Sequence, residues 1–99
     1  CPAISYAFVD GQYYARIIRV SDRNKQDTLN RMRASFGPDI KIKKHGVWTV
    51  YSANVSDDIK LKIKCNDRTR EVKSATYSTK LRAQLAKNLK KDPIGQYDK

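Results

Sequence analysis

His45 is the sole histidine and Glu71 the sole glutamate of the chain. They are therefore the only members of the His–Glu acid/base couple that a ribonuclease would want. That chemistry needs one group to take a proton from the attacking hydroxyl and another to return one to the leaving oxygen. His45 precedes Gly46 in a turn-like stretch, where a lone histidine reads as a polar surface residue. Asp57-Asp58 reads as a turn, not as paired catalytic carboxylates. Serine–histidine–aspartate catalysis has no supporting motif. No three or four Cys, His, Asp or Glu fall at zinc-ligand spacing. The four glycines mark turns or the tail and form no phosphate-cradling loop. The residues thus predict a protein that is not an enzyme and needs no metal and no cofactor.

Two cysteines, Cys1 and Cys65, remain. They form no Cys-x-x-Cys pair, which argues against thioredoxin-like chemistry. An even count in a small chain predicts one disulfide and a secreted protein. Closing so long a loop would contribute roughly 4 kcal/mol through the unfolded state. Two free thiols are one alternative. A bacterial lipoprotein, anchored through a lipidated Cys1 with Cys65 unpaired, is another. The chain opens on Cys1 without a charged and apolar leader, and so reads as a mature chain.

With 21 Lys and Arg against 10 Asp and Glu, the net charge of +11 attracts polyanions, acidic protein faces and anionic lipid. Lys41, Lys43, Lys60, Lys62 and Lys64, with Arg82, Lys87, Lys90 and Lys91 near the C-terminus, are the candidate basic binding face. Nucleic acid is one partner for such a face, the more so because Tyr6, Phe8, Tyr13, Tyr14, Trp48 and Tyr51 interleave aromatic rings with the charge. The same rings are needed first for the core, Trp48 above all. A lysine row on an outer strand also reads as a solvated face that protects against aggregation.

The elements that position these residues follow from hydrophobic period. Ile4, Tyr6 and Phe8 alternate with Ser5 and Ala7, Asp10-Gly11 is a hairpin signal, and Tyr13 to Val20 continues as a second strand. Over 21–36 the period changes, and Leu29, Met32 and Phe36 predict an amphipathic helix capped at Ser21 or Asp22 and stopped by Gly37-Pro38. Residues 40–65 return to period two. Val47, Thr49, Tyr51, Ala53 and Val55 share one face, and Trp48 and Val50 the other. Ile59, Leu61, Ile63 and Cys65 alternate strictly with Lys60, Lys62 and Lys64, which predicts a strand with one core face and one wet face. Residues 69–77 give a weaker strand signal. Leu81, Leu85 and Leu89 predict a basic helix over 78–92, capped at Ser78 or Thr79 and stopped by Asp92-Pro93. Residues 93–99 read as a loose tail. No apolar run is long enough for a membrane span, and a monomer is expected.

The order of these features resembles the MAX effectors, small secreted proteins of fungal plant pathogens. The resemblance rests on Cys1, Tyr6-Ala7-Phe8-Val9-Asp10-Gly11, the strand Arg16-Ile17-Ile18-Arg19-Val20, the Lys44-His45-Gly46-Val47-Trp48-Thr49-Val50 turn and strand, and Cys65. It implies a mainly β fold, a small disulfide-pinned antiparallel β-sandwich of about six strands. On that pattern residues 1–77 are the sandwich domain with a helical insertion near 21–36, and residues 78–99 are a basic helical extension and tail. It also implies a secreted, non-enzymatic virulence protein, translocated into host cells in some cases, that binds host proteins, in some by pairing a strand with a sheet edge. Tyr6 to Gly11 is also compatible with the ribonuclease-like effectors, in which a helix packs on a sheet.

Overall fold

Asp10 and Gly11 both adopt positive φ, 50° and 78°. This mirror-image turn matches the twist of the strands it joins. It closes a hairpin of β1 (Ala3–Val9) and β2 (Gln12–Val20), with Val9 opposite Gln12. The register slips between Ala7 and Phe8, where Phe8 faces Tyr13 while Ala7 faces Ala15. The bulge leaves Tyr14 as an extra residue, and both Tyr14 and Ala15 are buried on one face.

The chain then forms α1 (Lys25–Phe36), a 3-10 turn (Gly37–Asp39), β3 (Lys41–His45), β4 (Trp48–Asn54), β5 (Ile59–Asn66), β6 (Val72–Ser78), α2 (Thr79–Lys87) and a second 3-10 turn (Pro93–Asp98). The computed structural model describes residues 3–20, 25–87 and 92–98. The caps expected at Ser21 or Asp22, as well as Leu89, Lys90, Lys91 and Cys1, lie outside the described residues. Gly37 ends α1 in the left-handed region, φ 47°, the helix-terminating position that suits glycine. Ser78 caps α2, its Oγ accepting the Leu81 N–H at 3.2 Å.

The six strands form one antiparallel sheet in the order β1-β2-β6-β5-β4-β3. The structure is thus mainly β, but its strands do not divide into two packed sheets. The cause is β6, which pairs with β2 on one side (Ala75 opposite Ile17) and β5 on the other (Ala75 opposite Lys62). The weak strand signal over 69–77 is therefore a central strand, and it welds the hairpin to the β3–β4–β5 meander.

Helices supply the layer that a second sheet would have supplied. On one face α1 lays Leu29 and Met32 over Ala53, Ile63, Cys65 and Val72, with Phe36, Ile40, Tyr51 and Leu61 at the margin. On the opposite face, α2 and the last turn lay Leu85, Ile94 and Tyr97 over Val9, Tyr14, Ala15, Ala75 and Tyr77. The expected loose tail is corrected here: Ile94 is 0% and Tyr97 1% exposed. Their burial follows from three local bonds. Asp92 accepts the Ile94 N–H at 3.0 Å, Gln96 donates to the Pro93 carbonyl at 3.0 Å, and the Gly95 N–H reaches the Asp92 carbonyl at 3.2 Å.

The two covers are offset. α1 sits mainly over β4 and β5 on its face, and α2 over β1, β2 and β6 on the other, from where the last turn reaches across to β5. Each face therefore has one covered and one open half.

Candidate interaction surfaces

The open half on the α1 side is aromatic. Ile4, Tyr6, Phe8 and Tyr13 are 50%, 57%, 59% and 50% exposed. Tyr13 packs against both neighbours, with ring centres 5.7 Å from Tyr6 and 6.1 Å from Phe8. The expectation that these rings fill the core is overturned. The alternation was legible, but Ala7 and Val9 on the opposite face of β1 are the ones that α2 and the last turn cover. Exposed clusters of large apolar side chains mark interaction sites. The patch continues through Arg16, opposite Tyr6, and Ile18, opposite Ile4. It runs into a groove of about 520 Å³ between α1 and the sheet, lined by Ile18, Asp27, Arg31, Met32 and Thr76 among others.

Among the described residues, no strand lies beside the outer edge of β1. Its sequence, AISYAFV, carries no charge.

The open half on the α2 side is basic. Cross-strand register brings Lys43, Val50, Lys64 and Lys73 into one row, and Lys41, Ser52 and Lys62 into the next. Lys60 occupies a third row beside Asn54 and Tyr77. The structure therefore gathers Lys41, Lys43, Lys60, Lys62 and Lys64 on one face, as the alternation predicts. That face is not simply wet, because the last turn lies across part of it. Lys64 is 8% exposed, and its Nζ donates to the Gln96 carbonyl at 2.6 Å. It lies 4.4 Å from the centre of the Trp48 ring, and Lys73 lies at 5.8 Å. Burial, and then the Lys73 charge, push the Lys64 ammonium below its ordinary value. Trp48 is half-buried beneath these amines and belongs to neither core cluster, so its expected place in the core is corrected to a cation–π contact.

Lys62 donates to Asp98 at 2.6 Å. Arg82, projecting from α2, also bonds to Asp98 and reaches Asp92 at 2.7 Å. Burial pushes the Asp98 carboxyl up, but hydrogen bonds from Arg82 and Lys62 outweigh it, and the carboxyl titrates below its ordinary range. Lys87 is exposed at the end of α2. The acidic members of this network, Asp92 and Asp98, had no short-range signal. They meet Arg82 and Lys62 only because the last turn folds back onto the sheet.

His45 and Glu71 are not brought together. His45 pairs with Trp48, Trp48 with Asn66, and the Asn66 N–H donates to the Glu71 carbonyl at 2.9 Å. Three strand spacings, roughly 14 Å, separate them. The Glu71 carboxylate instead faces Lys73 at 3.7 Å and Arg19 at 3.9 Å. Asp58 serves structure: it accepts the Ser78 hydroxyl at 2.6 Å, the Thr79 hydroxyl at 2.9 Å and the Lys80 N–H at 2.9 Å. These bonds, the Ser78 hydroxyl first, hold its carboxyl below the ordinary value.

Cys65 is buried and forms no disulfide among the described residues, and burial pushes the pKa of its thiol up. Its expected partner, Cys1, lies outside the described residues. Among the described residues, no group of three or more His, Cys, Asp or Glu gathers as metal ligands, and no helix is long and apolar enough to cross a membrane. No family model, curated protein or solved structure was found to match this chain.

Proposed function

We propose that this chain is a secreted, non-enzymatic effector-type module that binds host proteins at its β1 side. One observation carries the reading. Four large apolar side chains, Ile4, Tyr6, Phe8 and Tyr13, stand half or more exposed beside an uncharged edge strand. An extended segment of a partner would add to that edge through main-chain hydrogen bonds, and the rings would supply the side-chain contacts that select it.

Both effector resemblances drawn from the sequence agree with a binding role. A helix packed on an antiparallel sheet is what the ribonuclease-like group implies, and α1 on a single sheet fits that group better than the two-sheet sandwich. The separation of His45 from Glu71 supports a role without ribonuclease catalysis.

The Cys1–Cys65 bridge is the finer part of this proposal. Ala3 and Cys65 lie on β1 and β5, three strand spacings apart, roughly 14 Å. Alkylation in denaturant without reductant, read by intact mass, decides it: no label fits the bridge, and two labels contradict it.

The binding reading is tested by quantitative affinity capture from host extract, using the wild type, Tyr6→Ser/Phe8→Ser and Lys41→Glu/Lys43→Glu. Protein partners should disappear with the first variant and persist with the second. Loss with the second variant alone would move the working surface to the lysine face.

A further inference from the structure

We propose that the cleft between β5 and α2 is a binding site for a small polyphosphate, and that the protein's own Asp98 carboxylate occupies it in the free state. The site lies on the opposite face from the β1 surface and does not depend on that reading. Lys62 and Arg82 are well covered, with side chains 15% and 22% exposed, whereas the carboxylate they both grip is 42% exposed. The cations are thus fixed in the floor, and the anion is held from outside by the last turn.

Space opens on both sides of the Lys62–Asp98 pair. A hollow of about 490 Å³ is lined by Lys60, Lys62, Arg82 and Asp92 among others. A second, of about 280 Å³, is lined by Lys43, Val50, Ser52, Lys62 and Tyr97. Asp98 borders both. Lys43 and Lys60 have no acidic partner among the described residues. Four cations, Lys43, Lys60, Lys62 and Arg82, therefore surround two carboxylates. Asp92 holds Arg82 through Nε, and also the Ile94 N–H and, at 3.5 Å, the Tyr14 hydroxyl, which leaves the terminal nitrogens of Arg82 to Asp98.

A carboxylate offers two oxygens and one charge, enough for Lys62 and Arg82. A phosphoryl group offers three oxygens and more charge. Placed where the Asp98 carboxylate now sits, it keeps both bonds, and a second phosphoryl unit lies within the hollow that Lys60 or Lys43 lines. Arginine with flanking lysines is the donor set that suits such a group. Asp98 is then an internal competitor, and its removal strengthens binding.

The test is titration of the full chain with inorganic tripolyphosphate at fixed ionic strength, followed by calorimetry. Asp98→Asn should tighten binding about tenfold, the worth of one charge-assisted hydrogen bond no longer competed for. Lys62→Gln should weaken it by about tenfold and Lys60→Gln by a few-fold. Lys44→Gln makes the same charge change on the opposite face, in the row of Thr49 and Cys65, and should have less than about twofold effect. Lys60→Gln touches no carboxylate, so its result stands even if Asp98→Asn loosens the last turn. Equal weakening by Lys44→Gln and Lys60→Gln would mean general charge attraction and overturn the site. Unchanged affinity in a folded Asp98→Asn variant would overturn the internal competitor. A single-stranded oligonucleotide that binds tighter, with the same dependence on Lys60 and Lys62, would replace the small ligand with a polymer.

Discussion

The two edges of the sheet are opposites. β3, Lys41–His45, carries three lysines and a histidine in five residues, all exposed. β1 has seven residues and no charge, and presents Ile4, Tyr6 and Phe8 to solvent. Charged side chains, lysine above all, keep an edge from pairing with other chains. On the proposed reading, the uncharged edge is the one that serves a partner. The same contrast runs onto the faces, aromatic beside β1 and basic beside β3. It arises because the two covers sit on opposite faces and opposite halves of the sheet.

The largest test of this layout removes a cover. Ile94→Ala should cost about 2–5 kcal/mol, the range for emptying a buried aliphatic site, and Met32→Ala under the other cover should cost a similar amount. Chemical denaturation measures both. A loss below about 0.5 kcal/mol for Ile94→Ala, the size of an ordinary surface change, would return the last turn to a loose tail.

The next test acts through acid. Asp58 and Asp98 both titrate below the ordinary 3.8 in the folded chain. A carboxyl whose pKa is depressed by folding contributes stability above its unfolded value. That contribution is lost as the pH falls through the folded value. The melting temperature should therefore fall as the pH is lowered below about 4. The fall should be shallower in Asp98→Asn, which has already given up that contribution. An identical acid slope in the variant would contradict the Lys62–Asp98–Arg82 network.

On the surfaces the changes should leave the fold alone. Tyr6→Ser/Phe8→Ser should shift stability by no more than about 1 kcal/mol, because both rings face water. A larger loss would mean that the rings belong to a core. The smallest effect comes from the Tyr97 hydroxyl, which is buried with no hydrogen-bond partner among the described residues. Tyr97→Phe should hold or raise stability by about 1 kcal/mol, and a clear loss would reveal a partner for that hydroxyl.

Much of this arrangement was legible in residue order. Asp10-Gly11 fixed the hairpin, Leu29, Met32 and Phe36 fixed α1, and the Ile59–Cys65 alternation put Lys60, Lys62 and Lys64 on one face. Two kinds of information were missing. One was which face of each strand would be covered, since Ile4, Tyr6 and Phe8 alternate as cleanly as a buried stripe does. Covering is decided by α2 and the last turn, far along the chain. The other was long-range polar pairing. Asp58 meets Ser78, and Lys62 meets Asp98, through folding back that no local spacing encodes. β6 was faint because Lys73, Ser74 and Thr76 interrupt its apolar pattern, although its central place buries Val72 and Ala75 completely.

The central claim is that the bare β1 side is where a protein partner binds. The most direct measurement places a photo-activatable crosslinking residue at position 8 in one preparation and at position 43 in another, and exposes both to the same host extract. The account predicts a discrete protein adduct from position 8 and none from position 43. An adduct formed only from position 43 would contradict it.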